Sequence, residues 1–465
     1  MMILAVIAII VLIILGVGVA FAFGIGSFVA MEGVGDPTLV PTVAYSTINS
    51  FPLLAIPFFL LAGTIMKDGG VSSRLVDFVS IFTGWFKGGM GVALTGASAI
   101  FGAISGSSVA TVSAMGSIMT PEMVKRGYPR RYIAGLVSVS GILGILIPPS
   151  IPMIVYGIAA NVSIGHMFMA GVVPGLLLFA TLSLVNVTWA RRQPEINDRH
   201  VVLEGGEGAV TDAGVSADVR ANEVVAESAS GGTTTKLATR PATTPKVQHS
   251  PLRRGIGAIP ALLMPVVILG GIYGGIFTPT ESGAAACLYG LIVGLFVYRG
   301  LKPGKIANTF LNGMLSSAPI LLIIAMGGAF SRAITMSGLP ADLTVWVSEL
   351  GLSTWMLLLV LNIMLLLVGM LVEENTAIIV LAPLLMPIVT IAGIDPVQFG
   401  VIMVLNLGIG LATPPMAPNI FVAAGACEVP SHLIVGTTMR FLALGALPVL
   451  IAVNVVPALT LWSTR

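Results

Sequence analysis

Three hydroxyls and two carboxylates stand where a mostly apolar chain is least able to hold them. Ser105, Gly106, Ser107 and Ser108 interrupt an apolar stretch over 88–121, and Glu373, Glu374, Asn375 and Thr376 interrupt another over 354–392. Hydroxyl, amide and carbonyl oxygens are hard ligands for a small cation such as Na+. The first turn of a helix leaving such a tip presents N–H groups and partial positive charge to an anion. Two adjacent carboxylates in hydrocarbon cost roughly 2.5 kcal/mol or more each on the insertion scale, and no Lys or Arg lies nearby in sequence. A bound cation, a proton on one Glu, or a tip wetted at the outer surface would each satisfy them. For the serine tip, the competing reading is a small-residue packing motif between membrane helices.

Doubled prolines accompany both tips. Ile147-Pro148-Pro149-Ser150-Ile151-Pro152 returns 266 residues later as Thr413-Pro414-Pro415-Met416-Ala417-Pro418. Proline removes an N–H and clashes with the preceding turn, so a pair ends a helix and frees the carbonyls before it. Those carbonyls, at 143–147 and 409–413, can face the tips, and Ser140 and Asn406 occupy matched positions earlier. Pro121 matches Pro387 and Gly144 matches Gly410 at the same offset; Gly102 matches Gly369 one residue further. Gly70 and Leu75 match Gly338 and Leu343 at an offset of 268. A kink serving packing alone is the other reading of each proline pair. A repeated membrane unit with a broken helix in each half points to a secondary transporter and its binding site.

The elements that must hold these groups are apolar spans. Hydrophobic residues make up 56% of the 465, charged residues only 9%, and mean hydropathy is +1.02. A typical soluble domain is about 25% charged, so this is an all-α integral membrane protein. A net charge of +2 gives no reason to expect a nucleic-acid partner. Cys287 and Cys427 lie in separate apolar stretches and read as small core residues. Spans are predicted over 3–23, 51–66, 131–165, 167–189, 258–277, 283–298, 306–330, 397–427 and 432–458. The stretch 3–23 reads as a retained first span, because no Lys or Arg precedes Lys67 to make a signal sequence. The segments 88–121 and 354–392 read as re-entrant hairpins, and 131–165 and 397–427 as broken helices. This divides the chain into a first inverted repeat over 1–189, a linker over 190–254 and a second inverted repeat over 255–465. Residues 193–252 contain no Phe, Tyr or Trp, a composition that cannot offset the entropy of ordering.

Basic residues orient this layout. With a cytoplasmic N-terminus and the first hairpin open to the cytoplasm, nineteen of the 22 Lys and Arg fall on that side, as the positive-inside rule requires. Arg332, Arg440 and Arg465 remain for the other face, with a periplasmic C-terminus. The span at 51–66 then runs inward and its partner at 306–330 outward, so the halves are inverted. Other polar groups say less. Thr278-Pro279-Thr280-Glu281 has the order of a helix capping box. His166 and His432, also 266 apart, each begin a span and read as interfacial anchors, and Arg332 is a candidate for attracting an anion. No Ser–His–Asp grouping, metal-ligand cluster or phosphate loop occurs, and nothing suggests an enzyme or a cofactor beyond a coupling ion.

Five motifs in order carry a resemblance. Ser50-Phe51-Pro52-Leu53-Leu54-Ala55-Ile56-Pro57-Phe58-Phe59, Gly102-Ala103-Ile104-Ser105-Gly106-Ser107 and Ile147-Pro148-Pro149-Ser150-Ile151-Pro152 are three of them. Gly275-Ile276-Phe277-Thr278-Pro279-Thr280-Glu281 and Thr413-Pro414-Pro415 complete the set. With them the chain, outside 193–252, resembles the large membrane subunit of TRAP (tripartite ATP-independent periplasmic) transporters. The resemblance implies an elevator-type, ion-transporter-superfamily-like fold in a bacterial inner membrane. It implies Na+-coupled import of an organic acid, such as a C4-dicarboxylate or a sialic acid. The implied partners are a small four-helix membrane subunit and a periplasmic substrate-binding protein. Carried over, Ser105, Gly106, Ser107, Ser108, Ser140 and Gly144 would form one sodium site, and Glu373, Asn375, Thr376, Asn406 and Thr413 the other. Substrate would sit between them, near Ser105, Ser107, Pro149, Asn375, Thr376 and Pro415. The long linker departs from the family pattern, as does Glu373-Glu374-Asn375 in place of Asp-Pro-Thr, which leaves the second ligand set open.

An autonomous sodium–anion symporter of related design and a non-transporting scaffold or channel are the alternatives; uptake by vesicles with and without the partner proteins separates them. Deleting the linker is expected to leave solute uptake intact, and a vesicle uptake assay on the deletion variant checks this.

Overall fold

The computed structural model describes residues 1–71, 74–75, 78–79, 86–196 and 251–462, and the side chains of all of these except 251–256. The described residues are helical or irregular, without strands. Most of the 190–254 linker lies outside them. Its beginning is packed: Lys87 Nζ donates to the Gln193 carbonyl at 2.6 Å and Ile196 is buried. Gln193 and Ile196 therefore belong to the packed part, and a deletion should begin after Ile196.

Both hairpins form as two helical arms. The first has arms Gly89–Ser105 and Ser108–Lys125, the second Thr354–Gly369 and Glu374–Ile391. Each doubled proline breaks a helix. Arg130–Leu146 bends by 45° into Ile151–Ala159, and Pro396–Leu411 is followed by Pro418–Cys427. Both Pro-Pro peptide bonds are cis. The helices Ile164–Arg191 and Ser431–Phe441, the latter continued by Leu447–Val455, close the two repeats. Thr278 and Glu281 make the capping box in full, at the start of Pro279–Ile292.

The inverted relation shows in one antiparallel pair. Helix Ile306–Met336 lies alongside Leu39–Ile48 and Ala55–Asp68, its counterparts in the first repeat. Thr309 Oγ1 donates to Asp68 Oδ2 at 2.7 Å at one end. Gly313 faces Leu61, Gly328 faces Thr47, and Met336 reaches Gly35 at the other end. The matched Gly70 and Gly338 end these spans with φ of +77° and +75°, a region that glycine enters without steric cost.

The first span differs from expectation. Residues 3–23 are not one helix: Met2–Ile14 turns at 15–18 into Val19–Met31, and the two pack as an antiparallel hairpin, with Ile9 against Gly26 and Met1 against Gly33. Gly16, at φ +83°, makes the turn. Met1 therefore stands at the Gly35–Met336 end of the bundle, opposite Lys67. The apolar run was long enough to cross, and only the Gly16-Val17-Gly18 sequence hinted at a turn. These two helices, Leu39–Ile48 and the far half of Ile306–Met336 form a small separate core, in which Phe23 and Phe330 meet edge to face at 5.6 Å.

Around the tips the two repeats interlock. The segment after each proline pair packs on the second arm of the other repeat's hairpin: Ile151–Ala159 on Glu374–Ile391, and Pro418–Cys427 on Ser108–Lys125. Tyr156 Oη donates to the Pro396 carbonyl at 2.7 Å, and Thr120 Oγ1 to Cys427 Sγ at 3.1 Å.

Glycines allow each hairpin to reach its broken helix. A Cβ at Gly102 would strike the Gly144 backbone, and one at Gly410 would strike the backbone of Gly369. Gly102→Ala and Gly410→Ala are expected to destabilise the protein by about 1–3 kcal/mol through overpacking. Gly425→Ala, with nothing within 4 Å, should be neutral. Thermal unfolding in detergent checks the contrast.

Candidate functional site

The two tips are built alike. Ser107 and Glu373, 266 residues apart, cap the second arms: Ser107 Oγ accepts from Ala110 N–H at 3.4 Å and Glu373 Oε2 from Thr376 N–H at 3.1 Å. Capping fixes where each helix starts and occupies one N–H of each first turn that would otherwise face an anion. Each tip also accepts a backbone bond from its broken helix. Ile151 N–H donates to the Gly106 carbonyl at 3.2 Å, and Met416 N–H to the Met370 carbonyl at 3.3 Å.

At the first tip, Thr111 Oγ1 donates to the Ser107 carbonyl at 2.8 Å and shares a 3.3 Å contact with Ser105 Oγ. Gly141 faces Ser108 and Gly144 faces Thr111 and the Ser107 carbonyl. Ser105, Gly106, Ser107, Ser108 and Gly144 are thus brought together. Pro149 is buried beside Gly106, and Ser150 Oγ donates to the Ile145 carbonyl. Ser140 is fully buried on the same broken helix, its hydroxyl without a partner among the described residues.

At the second tip, Glu373 accepts from the Asn375 amide and the Thr376 hydroxyl as well as from Thr376 N–H. Its carboxylate is committed to its own helix start. Glu374 and Asn375 are buried, and Glu374 Oε2 and Asn375 Oδ1 have no partner among the described residues. Thr413 Oγ1 turns back to the Ile409 carbonyl at 2.7 Å. Pro415 and Met416 are exposed, so the second break is open where the first is covered.

Buried polar groups are rarely left without a hydrogen-bond partner, so each exception calls for an explanation. Nine buried side-chain atoms lack a hydrogen-bond partner among the described residues. Seven lie on the hairpins and broken helices: Ser98, Ser138, Ser140, Glu374, Asn375, Asn406 and Asn419. Six of these seven atoms are hydroxyl or amide oxygens and one is a carboxylate oxygen, a donor set that fits a small hard cation. The cavity of about 340 Å³ lined by Asp68, Lys302, Lys305 and Thr309 lies elsewhere and includes no tip residue.

Several of these residues were not singled out in the sequence. Thr111 sits one helical turn after Ser107, a spacing that would have placed it. Asn362 is a lone amide in an apolar arm; its Oδ1 accepts from Asn406 Nδ2 at 2.6 Å and Asn454 Nδ2 at 3.3 Å, and its Nδ2 donates to Asn454 Oδ1 at 2.8 Å. With its N–H groups directed to Asn362, Asn406 keeps its oxygen free. Thr95, 267 residues before Asn362, similarly meets Ser183 at 3.1 Å.

Two inverted repeats, each pairing a hairpin with a broken helix around open oxygens, define a membrane transporter of the inverted-repeat class. The fold is shared with the Alcanivorax borkumensis YdaH transporter (TM-score 0.59, 16% identity, 90% of this chain and 87% of that one). It is shared also with Neisseria gonorrhoeae MtrF (TM-score 0.60, 14% identity, 91% and 84%). Residues 6–459 match the family described as "Tripartite ATP-independent periplasmic transporter, DctM component". The C4-dicarboxylate TRAP transporter large permease protein DctM of Pseudomonas aeruginosa is 39% identical over 417 residues, 90% of this chain and 87% of the relative. The isethionate TRAP transporter permease protein DctMQ of Oleidesulfovibrio alaskensis is 37% identical over 425 residues, 91% of this chain but only 60% of that longer protein. The chain belongs to the DctM family of TRAP transporter large permeases, multi-pass proteins of the inner membrane, and is not an enzyme.

Asn362→Leu is expected to leave the amides of Asn406 and Asn454 short of an acceptor and to cost about 1–3 kcal/mol. A lowered unfolding temperature in detergent, with the protein still monodisperse, is the readout.

Proposed function

We propose that this chain is the transporting subunit of a Na+-driven importer of an organic acid, working with a small four-helix membrane subunit and a periplasmic binding protein. The observation that carries the reading is the pair of repeat-matched tips, with unpaired oxygens at Glu374 and Asn375 of the second tip and at Ser140 and Asn406 of the two broken helices, among the described residues. One sodium site draws on Ser105, Gly106, Ser107, Ser108, Ser140 and Gly144. The other draws on Glu373, Asn375, Thr376, Asn406 and Thr413. Relatives named for C4-dicarboxylate, isethionate and 2,3-diketo-L-gulonate support an anionic solute. The DctMQ name of one relative supports a small partner subunit.

Bound sodium supplies the positive charge that the tips lack, and the anion sits between the sites near Ser105, Ser107, Pro149, Asn375, Thr376 and Pro415. The interlocked hairpins and broken helices are the moving body, and the frame is the antiparallel pair with the N-terminal hairpin, an elevator arrangement. The basic end of the bundle, with Lys67, Lys302 and Lys305, faces the cytoplasm. Met1, at the opposite end, is then periplasmic, as is the C-terminus.

Proteoliposomes holding both membrane subunits, supplied with loaded binding protein, test this. Uptake should rise steeply with external Na+ and fall at least tenfold in Ser107→Ala or Asn375→Ala, on the order of one lost charge-assisted contact. A flat response to Na+ would refute coupling to that ion, and uptake without the partners would favour the autonomous symporter.

A further inference from the structure

The seven residues Thr413–Asn419 touch both tips. Met416 N–H bonds the Met370 carbonyl of the second tip at 3.3 Å. Three residues on, Asn419 Nδ2 donates to Ser108 Oγ of the first tip at 2.8 Å and to the Ser138 carbonyl at 3.2 Å. Asn419 is fully buried, and its Oδ1 has no partner among the described residues. Both of its donors are spent on the first repeat.

The contact is one-sided. At the offset of 266, the residue matching Asn419 is Met153, which is buried and has no amide to offer. The backbone differs in the same place. Ala417 has φ +35°, a left-handed conformation that non-glycine residues seldom adopt, whereas its match Ile151 is already helical. The turn at Ala417 delays the helix to Pro418 and sets Asn419 in its second position.

We propose that Asn419 is a positioning residue that couples the two ion sites, so that a cation at one tip orders the other. An ion drawing on the first tip fixes Ser108, and through Asn419 it fixes the segment whose other end is hydrogen-bonded to the second tip. The second ion then meets a segment whose ordering cost has been met, and positive cooperativity follows. The route is chemically asymmetric, running through a side chain of the second repeat only. The inference rests on the sodium reading above, and its test separates the two.

Purified full-length protein, together with its small membrane subunit, is unfolded thermally over a range of NaCl concentrations, with choline chloride holding ionic strength constant. In the wild type the unfolding temperature should rise against log [Na+] with the slope of two ions bound together. In Asn419→Ala the slope near the onset should fall toward that of a single ion, and the onset should move to about fivefold or more higher Na+, the lower end of ordinary coupling. Asn419→Ser, which keeps a hydroxyl in the buried position, is measured by the same criterion should the alanine variant not fold. A variant curve with the slope and onset of the wild type would overturn the coupling while leaving sodium binding intact. A wild type indifferent to Na+ would remove the sodium reading, and the coupling with it.

Discussion

A peptide group inside hydrocarbon must find its partner within the protein, and among the described residues two hairpin tips and two proline pairs interrupt the helices of this apolar chain. The structure meets that constraint by pressing each break onto another. Tip carbonyls accept N–H groups from the broken helices, at Gly106 from Ile151 and at Met370 from Met416. Such contacts need backbones closer than side chains permit, which is why Gly102 lies on Gly144 and Gly369 on Gly410.

Much of this was legible because proline and glycine act locally. Pro148-Pro149 and Pro414-Pro415 end helices whatever surrounds them, and the matched glycines and Pro121 and Pro387 kept the period visible. The hairpins were legible as apolar runs split by serines or carboxylates. The N-terminus was not, because 20 apolar residues have the same composition whether they form one span or two half-length helices, and only Gly16 marks the turn. Helices Leu39–Ile48 and Leu339–Glu349 were likewise missed, being too short to stand out from their loops.

The site divides along a similar line. Groups adjacent in sequence, such as Glu373, Asn375 and Thr376, could be associated at once. Those meeting only in three dimensions could not: Asn419 reaches Ser108 across 311 positions, and no periodicity encodes such a pair. The roles of Ser107 and Glu373 also changed meaning. Both were read as ligands, and the geometry adds helix capping at both.

The paired helices Met2–Ile14 and Val19–Met31 have a bearing on the surrounding lipid. At 1.5 Å per residue each is about 20 Å long, against a hydrocarbon layer of about 30 Å. Ile3, Leu4, Ile7, Ile10 and Ile14 all point outward. Where this flank meets acyl chains directly, the leaflet has to be pinched by roughly a third, unless another polypeptide fills the missing depth. Along this flank, short helices meet either a thinner bilayer or another polypeptide.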